Sequence, residues 1–516
     1  MKRVLTVLFA IGLIIFLLAG GVLSAYAVGA LAENYLFVGA SRLTNIIFLM
    51  LVFVMIIATL LTLAERKWSA LMQDRIGPNR ARINLPVLRN MDLAGLPFVL
   101  ADSVKMLTKE AFVPEKANRF LFNLGPLLAF APAFALFAIV PAGPSVQLWD
   151  AKVDMVVATP DFGLLYLFAI ASLAVYGTAL AGWASNNKFA LLGGVRASSQ
   201  MISYEVALGL SLVGIMLAFA SVQLPTIVGN LASEPVAQAG VQAGQSSGQA
   251  RYLWQWSGVG GGFDLGLPAW GILLQPLGFI LFFAAAFAET KRAPFDVPEG
   301  ESEIIGYFVE YSGMQFGLFM ISEFVEVVVL SGVVAALFFG GYHLPFGGEW
   351  LATQLRDYPL VYATALGTFF WIKVLLLCYL QLLIRWTFPR FRYDQIQTLG
   401  WKMLLPAGLV NVFVSGALVL WDPSLRYLAL FGLLQIGVLI ALTLSSKGGA
   451  VESHGHGGGH GHGHGALGSG HDDHGHGLPA GAHGHAALPA HGHATSNLGG
   501  HAPAGAHAGA HSTSTH

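Results

Sequence analysis

Apolar stretches of the length that crosses a bilayer recur along this chain. They are Val4–Leu31, Thr44–Ala64, Phe120–Pro141, Phe162–Trp183, Gln200–Ala220, Trp270–Ala288, Ile304–Phe339, Pro359–Ile384, Met403–Trp421 and Tyr427–Leu444. A bilayer-spanning helix needs about 20 apolar residues. Backbone polar groups cannot be left unpaired in lipid, so runs of this kind predict helices. Barrel-like alternation over about ten residues does not recur. The pattern predicts an all-α, polytopic membrane helix bundle of up to ten transmembrane helices. The first span is read as a retained helix; Met1-Lys2-Arg3 ahead of it and Ala25-Tyr26-Ala27 within it leave a cleaved signal segment as the alternative.

Two stretches follow other rules. In Ile83–Glu110, Leu93, Leu96, Leu100, Val104 and Leu107 recur at three- and four-residue steps, with Asp102, Lys105 and Lys109 between them. That spacing predicts an amphipathic helix lying on the cytoplasmic surface or on a partner. Ser221–Pro268 is rich in Gly, Ser, Ala and Gln and reads as a flexible outer loop. Its Gly258-Val259-Gly260-Gly261-Gly262 run ends in Phe263 where a dinucleotide loop needs glycine, and no βαβ context surrounds it.

Composition narrows the function. Only 11% of residues are charged and 55% are hydrophobic, against roughly 25% charged in soluble domains. The net charge of −1 gives no reason to expect a nucleic-acid partner. Cys378 is the single cysteine, so this chain cannot supply the roughly four thiolates of an iron–sulfur cluster. With Met1 on the cytoplasmic side and ten spans, Lys2, Arg3, the basic residues from Arg66 to Arg119, Lys188, Arg196, Lys291, Arg292, Arg385, Arg390, Arg392, Lys402 and Lys447 share that side. Only Arg42, Lys152, Arg251, Arg356 and Arg426 fall opposite, with Lys373 inside a span, so the positive-inside rule is satisfied. Of 17 histidines, all but His343 lie between His454 and His516. This Gly- and Ala-rich tail cannot bury a core; its imidazoles are suited to loose Ni²⁺, Zn²⁺ or Cu²⁺ binding, against the plainer reading of a solvated cytoplasmic extension.

Carboxylates within apolar spans are the chemical signal. Glu205 lies in one span, and Glu310, Glu323 and Glu326 in Ile304–Phe339. Each ionised acid at the bilayer centre costs about 2.5–3.5 kcal/mol on insertion scales. A proton relay, a cation site or structural ion pairs would justify that cost. Glu289–Glu303 adds five acids in fifteen residues, broken by Pro294, Pro298 and Gly300. Closely spaced glutamates repel, which favours a retained proton near neutral pH. As one helix, Ile304–Phe339 would be roughly 54 Å long, longer than a ~30 Å core, so a break or strong tilt is expected. Glu65–Arg80 is a polar mouth at the inner end of the second span, readable equally as positive-inside anchoring around Trp68.

Several stretches together resemble one family, the NuoH family of membrane subunits of bacterial NADH:quinone oxidoreductase (respiratory complex I). They are Ala64-Glu65-Arg66-Lys67 with Arg75-Ile76-Gly77-Pro78-Asn79, Gly182–Lys188, Arg196-Ala197 through Ile202-Ser203-Tyr204-Glu205, Ala288–Glu303, Glu310-Tyr311-Ser312-Gly313-Met314 and Phe388–Gln395, in family order from about residue 44 to 421. The resemblance implies a core of about eight transmembrane helices that forms much of the quinone chamber, with the amphipathic helix at its entrance. It implies a buried acidic relay coupling quinone reduction to proton translocation: Glu205, Glu289, Glu299, Glu301, Glu303, Glu310 and Glu323. Glu65, Arg66, Arg75 and Asp296 would lie near the chamber. Quinone would be the substrate; NADH, FMN and iron–sulfur clusters would bind partner subunits, and no metal site is expected here. Partners would be the hydrophilic-arm quinone-site subunits, small membrane-arm subunits and lipid of a bacterial inner membrane.

Residues 1–35, the loop around Ser221–Pro268, the helix in 426–447 and the tail 448–516 depart from the pattern, leaving 36–425 as the core. Two other functions compete. One is the related membrane component of a membrane-bound hydrogenase, which uses no quinone; the near-complete Glu65–Asn79 and Phe388–Gln395 motifs favour the quinone enzyme. The other is a metal transporter, suggested by the tail.

Overall fold

The computed structural model describes residues 2–448 except 38, 80–94, 150, 230–246, 257–264 and 301–304. The histidine-rich tail, Leu93, Glu301, Glu303 and the 258–263 glycine run lie outside the described residues. Among the described residues, nine helices are long and apolar enough to cross a membrane. We number the principal helices α1 (Lys2–Tyr35), α2 (Ala40–Met72), α3 (Leu96–Thr108), α4 (Arg119–Ile139), α5 (Gly163–Ala184), α6 (Lys188–Phe219), α7 (Pro276–Glu289), α8 (Gly313–Phe338), α9 (Pro359–Thr387), α10 (Tyr393–Trp421) and α11 (Arg426–Gly448). Two small antiparallel hairpins, Val146–Leu148 with Ala151–Val153 and Tyr252–Trp256 with Leu265–Pro268, are the strand structure described.

Two sequence expectations need correction. Trp270–Ala288 is not one continuous helix. A single turn, Gly271–Leu274, stops at Gln275, and the 14-residue α7 begins at Pro276. A proline disfavours α conformation in the residue before it, and Gln275 accordingly adopts φ −139°. Ile304–Phe339 is not one helix either. Ile305, Gly306 and Gly313 have φ of +67°, +132° and +60°, left-handed or glycine-type conformations that no α-helix tolerates. The helix therefore starts at Gly313, and its 26 residues span roughly 39 Å at 1.5 Å each. The excess length came from counting a loop as helix, and Glu310 belongs to that loop.

Helix α8 is central: every residue from Ser322 to Phe338 is buried. Glu323 and Glu326 are thereby held away from solvent and need partners within the protein. Helices α5 and α6 approach closely where glycines face each other. A Cβ at Gly182 would meet the Ala190 carbonyl oxygen at 2.6 Å, the small-residue contact that lets membrane helices pack. Helix α1 packs along α9, with the Tyr26 hydroxyl donating to the Pro144 carbonyl at 2.6 Å. Its Glu33 carboxylate accepts the Gly39 and Ser41 amides at 2.7 and 2.9 Å, supplying acceptors for amides at the start of α2.

Candidate functional site

The basic ends of α2, α3, α8 and α9 surround a cavity of about 1000 Å³. Helix α2 contributes Glu65 and Arg66, the following turn Arg75 to Asn79, α3 Phe98, Val99, Asp102 and Met106. The loop after α7 contributes Arg292 and Glu299, α8 Phe316, Met320, Glu323 and Phe324, and α9 Arg385. Apolar walls with a few convergent polar groups are the usual character of a small-molecule site. The amphipathic pattern of α3 explains one wall. Asp102 binds Arg66 at 2.6 Å on the cavity side, while Leu96, Leu100, Val104 and Leu107 are exposed on the other face.

An ion cluster is built into the wall. Glu65 accepts from Arg292 at 2.7 Å and from Arg385 at 2.5 Å, one guanidinium to each carboxylate oxygen. Arg292 turns its other Nη towards Glu323 at 3.6 Å and lays its guanidinium over the Phe324 ring at 3.8 Å. The Tyr307 hydroxyl donates to Glu323 at 3.4 Å. Burial, then the charges of Glu323, Glu299 and Glu326, push the Tyr307 hydroxyl far above the usual phenol range, so it stays a donor. For Arg292, burial opposes the charge, but Glu65, Glu323 and Glu299 outweigh it and its pKa is raised. A buried ion pair is costly to form and still costlier to break by removing one partner.

Glu299 carries the distinctive chemistry. Burial first, and the Glu323 charge second, raise its carboxyl well above the usual range. A side-chain hydrogen bond joins it to Glu323. Two carboxyl groups can share such a bond only when one carries a proton. Three carboxyl groups, Glu65, Glu299 and Glu323, thus face two guanidinium groups, and the excess is met by a proton.

One helical turn further along α8, Glu326 faces Lys291 at 3.7 Å, both side chains no more than 5% exposed. Glu289, buried at the end of α7, lies within Coulombic reach of Glu326, Glu205 and Lys291. Glu205 itself is half-buried on α6. The sequence-selected acids Glu65, Glu299 and Glu323 therefore meet at the cavity, and Glu289 and Glu205 continue away from it.

Other expected residues fall elsewhere. Asp296 is buried against Arg390 at 3.2 Å and is not in the cavity lining. Glu310 accepts from Asn187 at 2.6 Å and lines a separate open cleft of about 500 Å³ with Glu115, Lys116 and Lys188. Glu301 and Glu303 lie outside the described residues. Arg292, Arg385, Tyr307 and Lys291 also build the site, although none stands out as a candidate in the sequence. Lys291 and Arg292 sit inside the acid-rich run itself, and bases embedded among buried acids are a usable signal. Arg385 is 320 positions from Glu65 in the chain, and nothing local pairs them.

A family model described as NADH dehydrogenase matches residues 44–416, beginning after α1 and ending before α11. The first of two H-type subunits of NADH-quinone oxidoreductase from Cytophaga hutchinsonii is 40% identical over 368 residues, 71% of this chain and 93% of that protein. The second H-type subunit from Syntrophobacter fumaroxidans is 41% identical over 374 residues, 72% of this chain and 94% of the relative. NADH-quinone oxidoreductase subunit 8 from Rhodothermus marinus is 38% identical over 375 residues, with 72% and 94% covered. The match runs through α2 to α10 and so takes in every helix that builds the cavity and the acid string; the chain belongs to the NuoH family of NADH-quinone oxidoreductase and is a membrane subunit of that enzyme complex.

Proposed function

We propose that the cavity receives the quinone headgroup and that the acids behind it pass protons when the quinone is reduced. The observation that carries the reading is the Glu299–Glu323 pair, a shared proton held at the cavity wall by a cluster of more acids than bases. The relatives' names, which specify quinone, favour this over the hydrogenase alternative.

Reduction of a quinone to a quinol takes up two electrons and two protons. Iron–sulfur clusters, FMN and NADH on partner subunits supply the electrons. Negative charge developing on the headgroup draws on the nearby guanidinium groups of Arg75, Arg292 and Arg385. As Arg292 turns towards that charge, its hold on Glu65 and Glu323 weakens. Those carboxylates then become better bases, and the proton shared with Glu299 is redistributed. Glu326 with Lys291, then Glu289 and Glu205, carry the change into the bundle. Glu301 and Glu303 extend the acidic loop by motif, and Arg66 braces α3 at the cavity entrance. Glu310 joins the string by motif alone. The chain sits in a bacterial inner membrane with its basic side cytoplasmic, against the hydrophilic arm and the small membrane-arm subunits.

Glu323→Gln in the assembled complex tests the reading, with NADH oxidation by an artificial acceptor reporting assembly. Neutralising one member of a buried carboxyl pair alters the proton affinity by an amount of order a pKa unit or more. Quinone reduction and coupled proton translocation should fall at least about tenfold while acceptor reduction is unchanged. Glu205→Gln should retain quinone reduction better but lower coupled translocation. Normal coupled rates in both variants would remove the string from the mechanism.

A further inference from the structure

A second, much smaller cavity adjoins the ion cluster. It is lined by Leu61 of α2, Thr290 and Arg292 after α7, Val327 of α8, and Gln381 and Arg385 of α9, and measures about 10 Å³. A water molecule needs roughly 10–15 Å³ and two to four polar partners. Arg292 is 6% exposed, and its Nε is buried with no hydrogen-bond partner among the described residues. Both Nη atoms of the same guanidinium are engaged, by Glu65 and Glu323. Leaving the third donor of a buried guanidinium unsatisfied is expensive.

Gln381 is the polar group across the cavity. Its amide is fixed: Nε2 donates to the Ser331 hydroxyl at 2.9 Å, which donates in turn to the Val327 carbonyl at 2.7 Å and also accepts from the Cys378 thiol at 3.3 Å. With Nε2 committed, the amide oxygen is the end that remains to accept. The Thr290 hydroxyl donates to the Phe287 carbonyl at 2.9 Å and keeps lone pairs free to accept.

We infer that this cavity is a seat for one water molecule, and that Gln381 acts through it as a positioning residue for Arg292. The water oxygen accepts from Arg292 Nε; its two hydrogens go to the Gln381 amide oxygen and the Thr290 hydroxyl. All donors and acceptors then balance. The guanidinium is gripped on three sides, by Glu65, Glu323 and the water, and cannot rotate without breaking one of them. The same water ties the cluster to the Gln381–Ser331–Cys378 string between α8 and α9. The positioning role rests on the proposal that the cluster serves the quinone; the water seat does not.

Two measurements on the assembled complex separate these. A high-resolution density map should show one water within about 3 Å of Arg292 Nε and Gln381 Oε1. Direct contact between the two side chains, or a filled cavity without a water peak, overturns the seat. In kinetics, Gln381→Met keeps the length of the side chain and removes the acceptor. It should lower quinone-dependent kcat roughly threefold to tenfold at unchanged KM, with artificial-acceptor reduction intact. Gln381→Glu, which restores an acceptor, should recover most of that rate. Equal rates in wild type and Gln381→Met, alongside a strong Glu323→Gln defect, overturn the positioning role alone. If Gln381→Met lowers kcat but Gln381→Glu does not recover it, the role is packing and the inference fails. If neither Glu323→Gln nor Gln381→Met has an effect, the proposed function itself has failed.

Discussion

Two buried sets of polar groups hold charge in this bundle, and they are built differently. At the basic end, Arg292 and Arg385 are held by carboxylates: Glu65 at 2.7 and 2.5 Å, with Glu323 at 3.6 Å from Arg292. Midway along α9, Lys373 is held by neutral dipoles. Its Nζ donates to the carbonyls of Phe339, Gly341 and His343 at 2.6, 2.8 and 2.7 Å, and the Trp270 and Phe369 rings lie 4.6 and 4.7 Å away. An ammonium has three donors, and all three are used. The carbonyls belong to the chain leaving α8, where the helix dipole favours a cation. His343 beside it has its pKa lowered to about 4, first by burial, and so adds no charge at neutral pH. Backbone carbonyls cannot take up or release protons; carboxylates can. The Lys373 site is a fixed clasp for the end of α8, whereas the Arg292 cluster can redistribute its charge.

That contrast predicts different failures. Arg292→Met should be the most damaging change, because it strands Glu65 and Glu323. Breaking a buried pair costs about 3–5 kcal/mol, so little assembled complex should be recovered, as judged by subunit co-purification. Lys373→Met removes a charge together with its three bonds and should cost about 1–3 kcal/mol. It should lower the temperature at which the complex dissociates while leaving protons translocated per NADH unchanged; a change in that ratio would erase the distinction between clasp and switch.

A subtler effect concerns pH. The Glu299 carboxyl is raised above its ordinary value, so its proton is present at neutral pH and is lost as pH rises through the raised value. The alkaline limb of coupled quinone reduction should therefore depend on this group, and Glu299→Gln should flatten or shift that limb. An unchanged limb would assign it to another group. The smallest effect is expected at Glu310→Gln. This residue lies in a separate open cleft and bonds Asn187. Exposed polar pairs contribute about 0–1 kcal/mol, so quinone reduction should change by no more than about threefold; a defect as large as that of Glu323→Gln would place Glu310 in the main string.

Much of this architecture is legible from residue order. Apolar length locates the helices, and the cost of burying charge singles out Glu205, Glu310, Glu323 and Glu326. The partners are not legible. Glu323 and Glu326 lie within one turn of α8, yet one faces Arg292 and the other Lys291, because adjacent bases in the loop reach different sides of the helix. Glu65 finds Arg385 only because α2 and α9 both pack beside α8. Hydropathy also counts a loop as helix when its residues are apolar enough, as it does before Gly313. The φ angles at Ile305, Gly306 and Gly313 depend on tertiary contacts that periodicity does not record.

The central claim is that a proton shared by Glu299 and Glu323 moves when the quinone is reduced. Infrared difference spectroscopy of the assembled complex, reduced minus oxidised, reads protonated carboxyl groups directly. The account predicts a carboxyl band that changes on quinone reduction and disappears in both Glu299→Gln and Glu323→Gln. A carboxyl band that persists unaltered in both variants would contradict it.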